Sequence, residues 1–284
     1  MINAALVLEG GSLRSLYTAG VLDVFIENEM EFECVIGVSA GALTGANYIA
    51  KHAGRSAKIN ILHSNDSNYY GLKQLIFKRS AFNFNYIFYS PIKDLYPYNE
   101  NMLANTKQKF LICATDCETG KAVYFEKYNY NELVQTLQAS SSLPLLSKPV
   151  IVDGITCLDG AIADPIGVNK AFSEGYEKVV VVLTRDLEHS NKKVIKMGQR
   201  LSRMVYKKYP ELIEALNNVA NNYNSLIEQI YKMEQENKIF VIRPSREVKV
   251  GKMEKDARKL IDLYFHGRDD ARGLLKKMFE YLNG

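Results

Sequence analysis

The start of the chain decides the fold. Residues 4–25 read AALVLEGGSLRSLYTAGVLDVF, and residues 34–51 read CVIGVSAGALTGANYIAK. Each stretch opens with a short apolar run, which predicts a buried strand, and continues past glycine or serine into apolar residues at helical spacing. The strand-turn-helix unit therefore occurs twice in succession. Two such units side by side place both helix N-termini at the same edge of a parallel sheet.

Strand and helix patterns alternate through the rest of the chain. The further strands are predicted at residues 110–115, 121–126, 148–152, 155–158, 179–184 and 239–243. The further helices are predicted at residues 131–140, 192–208, 211–235, 253–265 and 268–282. This alternation predicts an α/β fold whose mostly parallel sheet is covered on both faces. Since no Pro-, Gly- or Ser-rich linker interrupts the chain, we expect one domain over residues 1–284, with a helical C-terminal part at about 192–284.

The composition favours a soluble globular protein. Of 284 residues, 47% are hydrophobic and 24% are charged, and the net charge of +4 is too small to indicate nucleic-acid binding. No apolar run is long enough for a transmembrane helix, and the N-terminus lacks the pattern of a signal peptide. We therefore expect a cytoplasmic location. The four cysteines lack zinc-binding spacing, so we expect reduced thiols and no metal site. We also expect no cofactor.

Gly37-Val38-Ser39-Ala40-Gly41 fits the pattern G-x-S-x-G. In a nucleophile elbow, a serine on a tight strand-to-helix turn projects its hydroxyl at the helix N-terminus, and small neighbours allow the close approach. The free N–H groups of that terminus favour an oxyanion. The alternative is a glycine-bounded turn with an unreactive serine. The preceding apolar strand and the following small-residue helix favour the nucleophile.

The loop Glu9-Gly10-Gly11-Ser12-Leu13-Arg14 follows the first predicted strand. It matches neither a dinucleotide-binding nor a Walker A pattern, which disfavours a nucleotide site. Because both turns lie at the same sheet edge, the N–H groups of this loop can face the carbonyl that Ser39 attacks and form an oxyanion hole. Arg14 either binds an anionic head group, fixes the loop, or is a solvated helix residue.

A serine nucleophile needs a base. We expect the four histidines, His52, His63, His189 and His266, to lie at the surface or at helix ends, although His266 leaves the order Ser, Asp, His available. Asp159-Gly160-Ala161, at the end of a short strand, is a better candidate. Asp153 is expected in a hairpin turn, and Asp164, before a proline, is expected to be structural. Spacing alone does not choose among these three carboxylates.

Taken together, LVLEGGSLRSLYTAGVLDVF (6–25), VIGVSAGAL (35–43) and SSSLPLLSKPVIVDGITCLDGAIADPIGV (140–168) resemble the patatin-like phospholipases in order and spacing. Residues 242–267 resemble the bacterial branch of that family. The resemblance implies a three-layer α/β/α sandwich and a Ser39–Asp159 dyad without histidine or metal. It also implies an oxyanion loop of Gly10, Gly11 and Ser12 with Arg14, and hydrolysis of lipid or other acyl esters, as by a phospholipase A or a lysophospholipase.

Two positions depart from the family loop, G-G-G-x-R-G. Ser12 replaces the third glycine, and Ser15 follows the arginine. If the third position needs a left-handed backbone, serine is less comfortable there than glycine. The departures leave room for a catalytically weak lipid-binding or regulatory protein on the same fold. An ordinary α/β-hydrolase is less favoured, because its elbow follows more strands than precede Ser39.

Two segments are candidates for contact with lipid. One is an aromatic segment that forms either a lid or ordinary core: Tyr69, Tyr70, Phe77, Phe82, Phe84, Tyr86, Phe88, Tyr89, Tyr96 and Tyr98. The other is a basic helix that either lies on an anionic membrane surface or is simply solvated: Lys192, Lys193, Lys196, Arg200, Arg203, Lys207 and Lys208.

Overall fold

A computed structural model describes residues 1–69, 83–89, 92–186, 196–251 and 254–284. Its strands are β1 (Ile2–Leu8), β2 (Phe32–Val38), β3 (Lys109–Asp116), β4 (Ala122–Glu126), β5 (Val150–Val152), β6 (Ile155–Asp159), β7 (Val179–Val182) and β8 (Phe240–Ile242). Its helices are α1 (Leu16–Glu27), α2 (Ala40–Ile49), α3 (Arg55–Leu62), α4 (Phe84–Phe88), α5 (Ile92–Leu95), α6 (Glu100–Ala104), α7 (Tyr130–Ser140), α8 (Val168–Ser173), α9 (Lys196–Val205), α10 (Pro210–Gln235) and α11 (Ala257–Asn283). Short 3-10 turns cover Ser12–Ser15 and Gly160–Ile162.

The described strands form one sheet in the order β5-β6-β3-β2-β1-β7-β8, and β4 also pairs with β3. From β3 through β2, β1 and β7 to β8, every neighbouring pair is parallel. Strands β4 and β6 pair antiparallel to β3, and β5 pairs antiparallel to β6. The sheet is therefore mostly parallel, with an antiparallel edge beyond β3.

Alternating side chains of each central strand enter two cores on opposite faces of the sheet. In β1, Leu6 and Leu8 pack into the core beneath α1, α2, α7 and α11. Ala5 and Val7 pack into the other core, beneath α8 and α10. This two-sided burial explains why the central strands are apolar at nearly every position. It also confirms the predicted three-layer α/β/α arrangement.

The predicted strands are all present, with ends shifted by up to two residues. Of the helix predicted at 192–208, residues 192–195 lie outside the described part of the chain. The two helices predicted at 253–265 and 268–282 are wrong as separate elements, because α11 runs unbroken from Ala257 to Asn283. The glycine at the predicted gap, Gly267, does not end a helix but makes a close contact between two helices.

Helices α1 and α11 touch through their backbones at this contact. A Cβ atom at Gly267 would lie 2.1 Å from the carbonyl oxygen of Tyr17, and one at Gly20 would lie 2.1 Å from that of Tyr264. Only glycine leaves room for such an approach. The last helix of the chain is thereby packed directly against the first.

We predict opposite effects for two glycine substitutions in α11. Gly267→Ala should lower the free energy of unfolding by about 1–3 kcal/mol, because the added methyl group overpacks the crossing. Gly273→Ala, where nothing lies within 4 Å of the added atom, should raise it by up to about 1 kcal/mol, since alanine is the better helix former. Urea denaturation measures both. Equal stability of the two variants would contradict the close crossing.

Candidate active site

Ser39 lies on the turn between β2 and α2 with a left-handed backbone, at φ 53° and ψ −124°. Two glycines let the strand and the helix approach this closely. A Cβ atom at Gly37 would lie 2.5 Å from the Cα of Ala42, and one at Gly41 would lie 2.4 Å from the carbonyl oxygen of Leu8. The turn therefore has the geometry of a nucleophile elbow, including the strained backbone that such sites hold.

The hydroxyl of Ser39 is hydrogen bonded to the carboxylate of Asp159. Its Oγ donates to Asp159 Oδ2 at 2.7 Å, and both side chains are buried. The sheet brings them together, since β2 pairs with β3 at Val38 and β3 pairs with β6 at Ala114, opposite Asp159. Residues 120 positions apart in sequence thus meet at one edge of the sheet.

The backbone around this pair is fixed on both sides. The N–H of Ser39 donates to Ser140 Oγ at 2.8 Å, and Thr115 Oγ1 donates to the carbonyl oxygen of Asp159 at 2.8 Å. The second carboxylate oxygen of Asp159 accepts from the N–H of Ala161 at 2.9 Å. Oδ2 is thereby directed at Ser39, which is the orientation that a base requires.

The other two candidate carboxylates have different partners. Asp153 lies in the hairpin turn and forms an exposed ion pair with Lys127. Asp164 accepts hydrogen bonds from the N–H of Gly167 at 2.8 Å and from the hydroxyl of Tyr124 at 2.6 Å. Both are placed as the sequence predicts, one in a turn and one in a structural network.

The glycine loop packs against Ser39. A Cβ atom at Gly10 would lie 3.1 Å from the Cβ of Ser39. The N–H of Gly10 donates to the carbonyl oxygen of Pro165 at 3.4 Å, whereas those of Gly11 and Ser12 have no acceptor among the described residues. The N–H groups of Gly11 and Ser12 are therefore the loop donors available to an oxyanion. Ser12 has φ 51°, so this position does adopt the left-handed backbone that favours glycine.

A buried carboxylate, which the sequence reasoning missed, anchors the loop. Glu9 is 1% exposed and accepts hydrogen bonds from the N–H and hydroxyl of Thr184, at 2.6 and 2.9 Å. The hydroxyl of Tyr223, on α10, also donates to it at 2.8 Å. Glu9 thus ties the start of the loop to the end of β7 and to a C-terminal helix. An acidic residue directly after an apolar strand was the available signal.

Two arginines face the dyad from the other side of the loop. Arg14 and Arg185 line a cleft that also contains Ser39 and Asp159. Burial, and then the charge of Arg185, lower the pKa of Arg14. The Nε of Arg14 has no hydrogen-bond partner among the described residues. Arg185 also lies 3.9 Å from the buried carboxylate of Glu9, so the cleft presents two guanidinium groups that the carboxylates of Glu9 and Asp159 partly balance.

A second cavity also borders Ser39. Its walls carry both polar and apolar side chains, and the space it offers to a water-sized molecule is about 70 Å³. From the aromatic segment, Tyr69, Phe84, Phe88 and Tyr98 border it and are buried. Tyr86, Tyr89 and Tyr96 do not border it, and Tyr89 is exposed. Tyr70, Phe77 and Phe82 lie outside the described residues. Four of the described aromatics thus serve as core and as cavity wall together.

His52, His63 and His266 do not border the cavities beside Ser39. His266 is buried in mid-helix, which corrects the expectation of a surface or helix-end position. It lies 3.0 Å from both Ser245 Oγ and Asp270 Oδ2, and burial lowers its pKa. His189 lies outside the described residues. Neither cavity beside Ser39 is bordered by a histidine of the described part of the chain.

The cysteines are all free and buried: Cys34, Cys113, Cys117 and Cys157. In the part of the chain that the structure describes, no group of His, Cys, Asp or Glu side chains is arranged to hold a metal ion. No helix within the described ranges is long and apolar enough to cross a membrane.

Comparison with protein families gives two matches. A model described as "Patatin-like phospholipase" matches residues 6–172, and one described as "Domain of unknown function (DUF6363)" matches residues 209–283. The first match covers more than half of the chain and contains both Ser39 and Asp159. The chain belongs to the patatin-like phospholipase family. Membership in this family supports hydrolysis of lipid esters in general terms.

Two individual proteins are similar to this chain. The uncharacterized protein YjjU of Escherichia coli K12 is 28% identical over 185 residues, which are 63% of this patatin-like chain and 51% of YjjU. The chain thus spans about half the length of that relative. Among solved structures, VipD from Legionella pneumophila is similar with a TM-score of 0.46 and 12% identity, over 97% of this chain and 67% of VipD.

Two residues that contact Glu9 at the start of the glycine loop lie beyond the region that the patatin-like model matches. Arg185 follows β7, and Tyr223 falls within the second matched region. The loop of this patatin-like protein is therefore held partly by residues beyond the family model.

We predict that position 12 tolerates glycine but not a β-branched residue. Ser12→Gly should leave the free energy of unfolding within about 1 kcal/mol of wild type, because the left-handed strain is removed while the unfolded chain gains freedom. Ser12→Val should lower it by about 1–2 kcal/mol, the cost of a left-handed backbone at a side chain that cannot relax. Chemical denaturation of the two variants measures the difference, and a Val variant as stable as the Gly variant would contradict the assigned backbone.

Proposed function

We propose that this protein is a serine acyl hydrolase that cleaves lipid carboxyl esters, with Ser39 as nucleophile and Asp159 as base. The observation that carries the proposal is the 2.7 Å hydrogen bond from Ser39 Oγ to Asp159 Oδ2 at a strained strand-to-helix turn. Family membership supports the substrate class, a lipid ester. We further propose the Ser39–Asp159 dyad and the finer activity, that of a phospholipase A or a lysophospholipase.

The reaction would proceed in two halves. Asp159 takes the proton of Ser39 as the oxygen attacks the ester carbonyl, and the N–H groups of Gly11 and Ser12 receive the negative charge that develops. Collapse of this intermediate releases the alcohol and leaves an acyl-enzyme. Water, activated by the same carboxylate, then frees the fatty acid and restores Ser39.

The two cavities suggest how a substrate would lie. Ser39 borders both cavities. A substrate whose ester carbonyl lies at the Ser39 hydroxyl would therefore extend into both of them. The leaving alcohol of a phospholipid would carry its phosphate toward the cleft of Arg14 and Arg185. The acyl chain would enter the cavity bordered by Phe84 and Phe88. Neither half of the reaction calls on a metal or an organic cofactor, since the chain supplies base and oxyanion donors.

A triad with His266 is a weaker proposal. This histidine is engaged with Ser245 and Asp270, and its ring packs edge-on against Tyr17. The carboxylate nearest to Ser39 already contacts the serine directly. A Ser–Asp dyad therefore requires no rearrangement of the site.

We further propose peripheral contact with an anionic membrane. Helix α9 exposes the apolar side chains of Leu201, Met204 and Val205. The basic side chains of the same segment that the structure describes are also exposed, namely Arg200, Arg203, Lys207 and Lys208. A helix that combines these features suits the surface of an anionic bilayer. Lys192 and Lys193, predicted for the same surface, lie outside the described residues.

We also propose that residues 1–284 form one functional unit. Its support is the contact of α11 with α1 and the hydrogen bond from Tyr223 to Glu9, which bring the second matched region to the catalytic loop. The helical part after residue 192 would then complete the site rather than form a separate domain.

We predict distinct losses of activity for the two members of the dyad. Ser39→Ala should reduce hydrolysis of a phospholipid in mixed micelles to background, and Asp159→Asn should reduce kcat by about 10²–10⁴, the usual contribution of a general base. Asp153→Asn and His266→Asn are the controls and should retain near wild-type kcat. Loss of activity in a folded His266→Asn variant would favour the triad. Wild-type protein that binds lipid without turnover would favour a regulatory role.

A further inference from the structure

Arg55, the first residue of α3, is buried in the wall of the cavity beside Ser39. Its side chain is 5% exposed. Nε donates to the carbonyl oxygen of Tyr96 at 3.1 Å, and Nη1 donates to Asn47 Oδ1 at 3.0 Å. Nη2 is buried and has no hydrogen-bond partner among the described residues. A strong donor without a partner therefore lies within the wall of this cavity.

The charge of Arg55 also lacks a counter-ion. Within the described ranges, no carboxylate lies within 4 Å of its guanidinium, which instead lies over the ring of Tyr98 at 5.1 Å. Burial lowers the pKa of Arg55, yet a guanidinium remains charged at neutral pH. The sequence from residue 70 to residue 91 contains no Asp or Glu. Buried charges are normally paired, because an unpaired one is costly.

The contact with the Tyr98 ring favours a cation at Arg55, but its two hydrogen bonds do not require one. A backbone carbonyl and an amide oxygen accept equally well from a neutral donor, as most buried carbonyls do. A charged side chain that is buried, fixed by two hydrogen bonds and left with one free donor is arranged to receive an anion.

The cation is separated from Ser39 by the length of a helix. Ser39 precedes α2, and Asn47, which contacts Arg55, lies near its C-terminal end. Eight residues of helix place these two positions about 12 Å apart along the axis. Between them the cavity is bordered by apolar side chains that include Leu43, Ile59 and Phe88. Around Arg55 it is polar again, with Asn47, Ser56 and Asn60.

We propose that this cavity binds an ester that carries a second, anionic group about 12 Å from its carbonyl carbon, held by Arg55. The anion is a carboxylate or a phosphate at the far end of the acyl chain, distinct from the head-group phosphate that faces Arg14 and Arg185. Both present the oxygen pair that a guanidinium binds. The inference rests on the proposed function, since it assumes that the reacting carbonyl lies at Ser39.

The first test compares two chromogenic esters of the same chain length. Mono-p-nitrophenyl nonanedioate carries a terminal carboxylate, and p-nitrophenyl nonanoate does not. We expect the ratio of their kcat/KM values, charged over neutral, to fall at least about tenfold in Arg55→Met, as expected for a buried charged hydrogen bond. The change should appear in KM. Arg55→Lys, which keeps the charge, should retain part of the preference.

The matched control is Arg258→Met, at a side chain that is 93% exposed on α11, and its ratio should equal that of wild type. If Arg55 is only structural, Arg55→Met will slow both esters by the same factor, and the proposal falls. If the wild-type protein hydrolyses neither ester, the result contradicts the proposed function rather than the role of Arg55.

The second test needs no turnover. Ser39→Ala, with and without Arg55→Met, is titrated calorimetrically with nonanedioate, nonanoate and octyl phosphate. Arg55-dependent binding of nonanedioate supports an anionic acyl end, and Arg55-dependent binding of octyl phosphate supports a phosphate. Binding of neither anion, or equal binding in the double variant, overturns the proposal even if the protein is a hydrolase.

Discussion

The turn at Ser39 is the constraint on which the rest of the site depends. Its backbone is left-handed, and β1, β2 and α2 meet there without room for a side chain at Gly37 or Gly41. Such strain persists only where the surroundings over-determine it. Here a parallel sheet, a hydrogen bond from the Ser39 N–H to Ser140 and the packed glycine loop provide that support. The serine hydroxyl has one carboxylate, Asp159, as its partner in the described structure.

The C-terminal helices contribute to this arrangement from a distance. Tyr223 on α10 donates to Glu9, so a residue beyond the patatin-like match helps to fix the loop beside Ser39. Helix α11 packs on α1 through Gly20 and Gly267, and α1 directly follows that loop. Changes in the helical region would therefore be transmitted to the loop through packed backbone rather than through a flexible linker.

The strands, the elbow and the glycine loop could be predicted because each depends on residues that are close together in the sequence. The choice of Asp159 over Asp153 and Asp164 could not come from spacing, because it depends on the pairing of β6 with β3. The sequence predicts two helices where α11 is a single helix, because a glycine such as Gly267 is found at close helix contacts as well as at helix ends. Glu9 and Arg55 gain their importance from burial and distant partners such as Tyr223 and Asn47, which no local pattern contains.

The most direct test of the central claim is the covalent labelling of Ser39. Wild type, Ser39→Ala and Asp159→Asn are incubated with a long-chain alkyl fluorophosphonate, and their intact masses are recorded over time. An activated serine at the elbow predicts one adduct on wild type, none on Ser39→Ala and much slower labelling of Asp159→Asn. An adduct that persists on Ser39→Ala, or folded wild type that stays unlabelled, would contradict the assignment of Ser39 as the nucleophile.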